Sequence, residues 1–391
     1  MLNTLRGYVT AYRNKITKKF LGVVHVKHAG RKKGDVLLSF VAHPFTLVPG
    51  EFLTDPHSNN WTAPEIARLF SERGYDVDVI DWNNTKFVPR KKYAACIDLC
   101  NNLENLASFL TSDCKKIMFI IGSHPEFQNT AENKRISALE KRRGVVLPPK
   151  RTVPNIRNAP YVDFIAGYGN ETVHGTFSPF HKKVIPIPVP AMDAYDFPKD
   201  KNFDITRRHF LWFGGGGSIL KGLDLVIEAF SRMPQFTLTI VGPSAYEKDL
   251  EKIYAKELAL PNIKRYGRPK LMKDSEIITD GKNIREIFNE CGAVVYVSAS
   301  EGGGGAVVHA MQAGVFPIVT PQTGIDERAP SIVIKDPTIE NICKAVLSFS
   351  ELPPEKVREL SKETWSFAQK HHSKEAFTRS FEDFIDNELK M

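Results

Sequence analysis

The chain is expected to fold as two doubly wound α/β domains facing each other across a linker. Three observations predict this. Short, nearly all-apolar runs alternate with amphipathic stretches along most of the 391 residues. A Pro-rich, poorly periodic segment (IPIPVPAMDAYDFPKDKNF, residues 185–203) interrupts that rhythm, which then restarts. Strands that are apolar on both faces, separated by helices, imply parallel sheets covered on both sides.

In the first half, Asp35–Ala42 (DVLLSFVA) reads as a buried strand. Thr62–Gly74 reads as a helix opened by a Thr62/Glu65 capping box, with Pro64 in its first turn and Gly74 just past its end. A strand over Val77–Asp81, a helix over Cys96–Leu110 and a strand over Lys116–Ile121 follow. Glu126–Arg143 is a charged helix, before strands near Val162–Ala166 and Lys183–Ile187. Repeated prolines then end both patterns. In the second half His209–Phe213, Phe236–Val241, Asn262–Tyr266, Ala293–Val297 and Val315–Thr320 read as strands. Leu220–Arg232, Ala245–Leu258, Asn283–Glu290 and Ala306–Ala313 read as helices, and Pro354–Lys390 as a helical, amphipathic tail. The expected division is a basic segment 1–34, a first domain 35–190, a linker 191–203, a second domain 204–370, and a helix 371–391 returning toward the first domain.

Composition narrows the function. With 42% hydrophobic and 25% charged residues the chain is of ordinary globular make-up. No apolar run approaches the roughly 18 residues that a membrane span needs. The net charge of +8 is local: residues 1–34 hold nine Lys/Arg and no acid, while the remaining 44 basic and 45 acidic residues nearly cancel. A nucleic-acid partner is therefore not expected. The five cysteines are few and odd in number, so a disulfide framework is not expected and a reducing, cytoplasmic setting is. Cys96 and Cys100 have no His or second Cys pair to complete a metal site and read as structural thiols. His25 and Lys27 interrupt the early apolar stretch, so no secretory signal is expected.

Two tetraglycine runs carry the chemistry: Gly214, Gly215, Gly216 and Gly217, then Gly302–Gly305. Each follows a strand and precedes a helix. There, glycines let backbone N–H groups approach an anion, and the helix N-terminus adds partial positive charge. Neither run satisfies G-x-G-x-x-G, because Ile219 and Val307 stand at the third glycine, so a dinucleotide fingerprint is not expected. Lys221 precedes Gly222 rather than following a glycine before Ser/Thr, so neither is a Walker A loop. What remains is a phosphate cradle with one cation, Lys221, at the start of the next helix. The plain alternative is a surface lysine.

Here the second half resembles a known family. FLWFGGGGSILKGLDLVIEAF (210–230), LTIVG (238–242) and EGGGGAVVHAMQAGVFPIVT (301–320) are similar to the donor-binding domain of GT-B glycosyltransferases, in particular the retaining family 4, or group 1. Glu301, Gly302, Gly304, Ala310, Met311, Gly314, Pro317, Ile318 and Val319 match its last motif. The resemblance covers about residues 205–330 and implies a GT-B architecture for the whole. It implies that Lys221 neutralises a departing nucleoside diphosphate and that Glu301 binds donor-sugar hydroxyls. It further implies that backbone N–H groups of Gly303, Gly304 and Gly305 cradle the sugar and phosphate. Where the family's second Glu holds a ribose, this chain has His309, which offers one donor and one acceptor. His124, in IIGSHPEF, matches a family His facing the donor sugar; otherwise it is a turn histidine.

Gly50 and Asp55–Thr62 correspond loosely to the family's acceptor loop, with His57, Asn59 and Asn60 as polar candidates. Asn133 and Arg135 either turn into the cleft or form a solvated face. Asp76–Asp78 has a D-x-D spelling but opens an alternating strand, so it reads as structural and no metal site is expected. The implied enzyme needs no cofactor or metal and retains anomeric configuration by front-face attack as the diphosphate leaves. A nucleotide-sugar is its donor, and a glycan, lipid-linked or other glycoconjugate its acceptor. Alternatives are a GT-B-fold sugar-nucleotide epimerase, or a silent subunit binding a sugar nucleotide or a partner transferase. Leu2, Leu5, Val9, Tyr12, Ile16 and Phe20 form an apolar stripe beside Arg6, Arg13, Lys15, Lys18 and Lys19. That pattern predicts either a helix in an anionic membrane interface or one packed on the first domain.

Overall fold

The computed structural model describes residues 2–49, 51, 57–99, 102–155, 158–180, 182–192, 194–242, 247–272 and 276–391. Gly50, Asp55, Cys100 and Ala245, and the side chains of Leu2, Leu5 and Arg6, lie outside the described residues.

Two mixed α/β lobes are present. The first holds strands β1 (Val23–Val26), β2 (Gly34–Phe40), β3 (Tyr75–Asp81), β4 (Ala95–Asp98), β5 (Lys115–Ile120), β6 (Phe164–Gly167) and β7 (Val184–Pro186). They lie in the order β1-β3-β2-β4-β5-β6-β7, parallel throughout except for β1. Alternate residues feed two cores: Val36, Leu38 and Phe40 pack on one face and Leu37 on the other. The second lobe holds β8 (His209–Phe213), β9 (Thr237–Val241), β10 (Ile263–Tyr266), then β11 (Lys270–Leu271), β12 (Ile277–Thr279), β13 (Lys282–Asn283), β14 (Ala293–Tyr296), β15 (Phe316–Val319) and β16 (Ile332–Val333). Its main sheet runs β10-β9-β8-β14-β15-β16, all parallel, and β11–β13 form a small antiparallel sheet beside it.

Several local expectations need correction. Cys96 lies on strand β4, not on a helix; only Leu103–Leu106 and a 3-10 turn at Ala107–Phe109 are helical there. Cys96 and Ile97 enter opposite cores, which is strand periodicity that the four-residue cysteine spacing obscured. The helix expected from Thr62 runs Asn59–Glu72, and no capping box forms. Thr62 Oγ1 donates to Ser58 O at 3.0 Å, while Glu65 pairs with Arg68 at 2.7 Å and accepts from Thr378 at 2.6 Å. Pro64 therefore lies inside the helix. The helix expected over Ala245–Leu258 is split into Lys248–Ile253 and Ala255–Leu258. Strand β1, the β11–β13 sheet and the Ile339–Ser350 helix were not anticipated.

The charged Pro125–Arg143 helix is no solvated face. Arg135 Nη2 donates to Val297 O of the second lobe at 2.6 Å, although Asn133 stays exposed. Arg142 pairs with Asp224 and Glu228, and Arg143 with Glu228 and Glu257. The helix thus joins the lobes through these ion pairs and through Ile136 and Leu139, which are buried in the second core. A second junction is the tail. The Pro354–His371 helix packs Val357 and Ala368 into the second core, then Phe377, Phe381, Phe384, Ile385 and Leu389 pack into the first. At the crossing, Ala191 N donates to His372 O at 2.7 Å.

The Leu2–Leu21 helix rests on the first lobe by a narrow face. Ala11 and Asn14 are each 4% exposed, and Asn14 Nδ2 donates to Phe45 O at 2.8 Å. Val9, Tyr12, Ile16, Phe20 and Leu21 point outward, 58–74% exposed. Part of the segment's charge is met internally: Lys15 pairs with Glu51, Lys18 with Asp81, Lys27 with Asp76, and Lys32 with Asp35 and Asp76. Asp78 binds His25, Lys91 and Tyr93, so the D-x-D carboxylates are occupied by ion pairs.

Candidate functional site

Strands β8 and β14 are neighbours, and the winding direction of the second sheet reverses between them. Loops leaving the carboxyl ends of such a pair diverge and open a crevice. Both glycine runs leave there, and they line a cavity of about 530 Å³ between the lobes. Gly215 and Gly216 are its open members, since a Cβ on either would meet no described residue within 4 Å.

Lys221 does not start a helix. It sits in the turn before the Leu223–Ser231 helix, its N–H bonded to Gly217 O at 3.0 Å. Gly222 follows with φ +74°, and a Cβ there would come within 2.6 Å of Val297. Only glycine lets this turn press on the end of β14. The turn aims Lys221 Nζ at Glu301 Oε1, 2.5 Å away, and Tyr296 OH donates to the same oxygen at 2.8 Å. Burial pushes the Glu301 carboxyl up, yet the Lys221 ammonium and the Tyr296 hydroxyl outweigh it, and the group titrates below its ordinary range. The two charged groups expected to serve different parts of a donor are therefore in direct contact.

The first glycine run is not wholly open. Gly217 N and Ser218 N donate to the Glu247 carboxylate, at 2.6 Å and 3.0 Å to Oε1. That part of the cradle holds an anion of the chain itself. In the second run, Gly302 and Gly303 serve packing. A Cβ on Gly302 would lie 2.0 Å from Ile121 O of the first lobe, and one on Gly303 would lie 2.2 Å from Val189 Cγ2. Gly304, with φ +58°, precedes the Gly305–Gln312 helix, and among the described residues a Cβ on Gly305 would meet only Val189, at 3.7 Å. Gly303, Gly304 and Gly305 all line the cavity.

His309 also lines it, 8% exposed, with Nε2 2.9 Å from Tyr195 OH and its ring stacked on that of Tyr195. From the first lobe His57 and Asn59 reach the cavity, and Asn59 N donates to His57 Nδ1 at 3.2 Å. Asn60 is not among the lining residues; its N–H bonds His57 O. His124 is not either. It caps the Pro125–Arg143 helix through Glu126 N, and its ring packs edge-on against Phe177 and Phe180. Burial lowers its pKa. Its neighbour Ser123 makes the crossing instead, Oγ donating to Glu301 O at 2.9 Å. Four residues escaped the sequence reading: Tyr296, Glu247, Ser123 and Arg151. Of these only Tyr296, at the end of an expected strand, carried a positional signal. Among the described residues no three His, Cys, Asp or Glu side chains are grouped to hold a metal ion.

Comparison with known proteins gives a family match over part of the chain and a likeness of fold. Residues 199–366 match the family described as glycosyl transferases group 1. A glycosyltransferase structure from Rickettsia africae ESF-5 is similar over 92% of this chain and 99% of its own, at 11% identity and TM-score 0.56. A point mutant of S. aureus TarM, solved with fondaparinux, α-GlcNAc-glycerol and UDP, is similar over 73% of this chain at 12% identity and TM-score 0.51. This chain covers 54% of that one. The N-terminal domain of Candida albicans trehalose-6-phosphate phosphatase is similar over 86% of this chain and 76% of its own, at 10% identity and TM-score 0.51. At these identities the likeness is one of fold, which does not by itself assign an activity. No curated protein matches the sequence.

Proposed function

We propose, for a chain of GT-B fold whose residues 199–366 match the group 1 glycosyl transferases, that it moves a sugar from a nucleotide-sugar to a glycan, lipid-linked or other glycoconjugate acceptor. One observation carries this reading: the Lys221–Glu301 pair stands at the switch point of the second sheet, beside open glycines, in a cavity large enough for such a donor. In the reaction the bond from the anomeric carbon to the phosphate oxygen breaks, and the acceptor oxygen bonds that carbon. The acceptor proton passes to the departing diphosphate. Lys221 exchanges Glu301 for the diphosphate, and the freed carboxylate takes donor-sugar hydroxyls. Positioning and charge stabilisation are the protein's contribution. Retention of configuration and independence of metal belong to the same proposal.

The test is incubation with a panel of nucleotide-sugars and acceptors in the presence of a chelator. Release of free nucleoside diphosphate is expected, and thermal stabilisation by the true donor should precede it. Stabilisation without turnover for any acceptor would favour the silent-subunit reading.

The proposal extends to the acceptor's location, on an anionic membrane surface. The outward stripe from Val9 to Leu21 supports it, as does the groove that Phe20 and Leu21 share with Lys86, Val88 and Arg90. Among the described side chains of the helix, Arg13 and Lys19 are exposed cations outside the internal ion pairs, each contributing about 1 kcal/mol near such a surface. Removing residues 1–33 would also remove β1 from the sheet, so point substitutions are the cleaner probe. The chain should co-sediment with anionic vesicles at low salt, and Ile16→Ser with Phe20→Ser should abolish this. Retention in the supernatant of the unsubstituted chain would refute it.

A further inference from the structure

We infer that Arg151, carried by the first lobe, is a second cation of the diphosphate subsite, so that donor binding joins the two lobes through charge. This rests on the nucleotide-sugar reading above. Arg151 lines the same cavity as Gly215, Gly216, Lys221 and Glu301. Its stem lies along the first glycine run: a Cβ on Gly217 would fall 2.3 Å from Arg151 Cγ and 2.8 Å from Cδ. Gly217, with φ +89°, thus admits the arginine by having no side chain.

The backbone that carries this arginine is pinned. Glu132 Oε1 accepts from Lys150 N at 2.7 Å and from Arg151 N at 2.8 Å, and Gln128 Nε2 donates to Arg151 O at 2.6 Å. Asn129 exchanges two hydrogen bonds with Val153, both 2.9 Å. Glu132 and Gln128 are 2% and 7% exposed, so two buried polar side chains of the bridging helix are committed to one short strap. An arginine whose only duty was solubility would need no such anchoring.

Charge balance points the same way. Lys221 is neutralised by Glu301, and a diphosphate brings more negative charge than one shared lysine offsets. Among the described residues none forms an ion pair with Arg151, which nevertheless lies near enough to lower the pKa of both Glu301 and Tyr296 electrostatically. A guanidinium also presents a planar fork suited to two phosphate oxygens. The strap belongs to the first lobe by chain order but already meets the second through Lys150 and Asp249, 3.2 Å apart, so a ligand held by both cations adds to an existing junction.

The experiment is calorimetry on the full chain with UDP, GDP and ADP, each beside its monophosphate. The variants are Arg151→Ala and Arg151→Gln; the second keeps the stem against Gly217 and removes only the charge. Both should melt as the unsubstituted chain does without ligand. Each should weaken the preferred diphosphate by about tenfold or more and the monophosphate by much less, with partial recovery in Arg151→Lys. Equal diphosphate affinity in the unsubstituted chain and Arg151→Gln would overturn the role of Arg151 and leave the nucleotide-sugar reading standing. If no nucleotide binds the unsubstituted chain, that reading fails and the inference falls with it.

Discussion

At the scale of single residues the site is a set of charges that answer one another. Lys221 and Glu301 are 10% and 18% exposed at the side chain, so each shields the other from an unfavourable partly dry setting. Removing one partner of such a pair costs more than removing both, because a charge is left uncompensated. Lys221→Ala should destabilise the fold by about 1–3 kcal/mol at neutral pH, and the double variant with Glu301→Ala by less than the sum. Denaturant unfolding of the four members of this cycle checks it; strict additivity would mean the pair is not formed in solution. The pH sign follows from the depressed Glu301 pKa. Its share of stability is present above the unfolded-state value of 4.5 and is lost as pH falls through the lower folded-state value. Lys221→Ala should therefore lose least in acid. In turnover, the same substitution should cost about a hundredfold if the ammonium meets the leaving group.

At the scale of elements, the two glycine runs look alike in sequence but are used differently. Gly215 and Gly216 border open cavity, whereas Gly302 is where the end of β14 touches the end of β5 through Ile121. Gly302→Ala must push the lobes apart or distort the loop, at about 1–3 kcal/mol, the scale of overpacking. Gly216→Ala meets no neighbour among the described residues and should leave the melting midpoint unchanged. Equal midpoints for both variants would show that the lobes separate freely at this contact. A linear pattern of four glycines cannot distinguish these uses, since both need the missing Cβ. The strand–turn–helix setting of the runs was legible, because apolar periodicity and glycine placement are local. The Glu247 carboxylate bound to Gly217 and Ser218 was not, because it arrives from thirty residues away without a spacing rule.

At the scale of the molecule, the lobes are joined by the bridging helix, the linker and the tail, and the last two meet at His372. Its ring is 5% exposed, Nδ1 faces Val189 O at 3.2 Å, and its carbonyl accepts from Ala191 and Gln312. Burial pushes the imidazole down to about 4, against 6.5 when unfolded. A base with a lowered folded-state pKa gives stability that is full above the unfolded value. This is lost as pH falls toward the folded one, here roughly 3 kcal/mol between the two. His372→Gln should flatten that part of the acid limb. Unfolding midpoints measured at intervals across the window, variant against unsubstituted chain, should converge toward its acid end. Parallel curves would place the acid sensitivity elsewhere.

Periodicity and punctuation in the chain were enough for two largely parallel sheets and the glycine turns, because each depends on neighbours a few residues apart, whereas Glu301 was marked by the family resemblance. The basic N-terminal stripe was legible for the same reason. Its orientation was not: the narrow Ala11/Asn14 face, rather than the apolar one, meets the first lobe. Likewise the bridging helix resembled a solvated one until Asp224, Glu228 and Glu257 were brought against its arginines. His124 was a sound candidate by position in its strand–turn–helix unit, yet Phe177 and Phe180 take its ring, while Ser123 and Arg151 face the second lobe. Those choices belong to tertiary packing, which decides which polar groups lose water and which charges become partners across long chain separations.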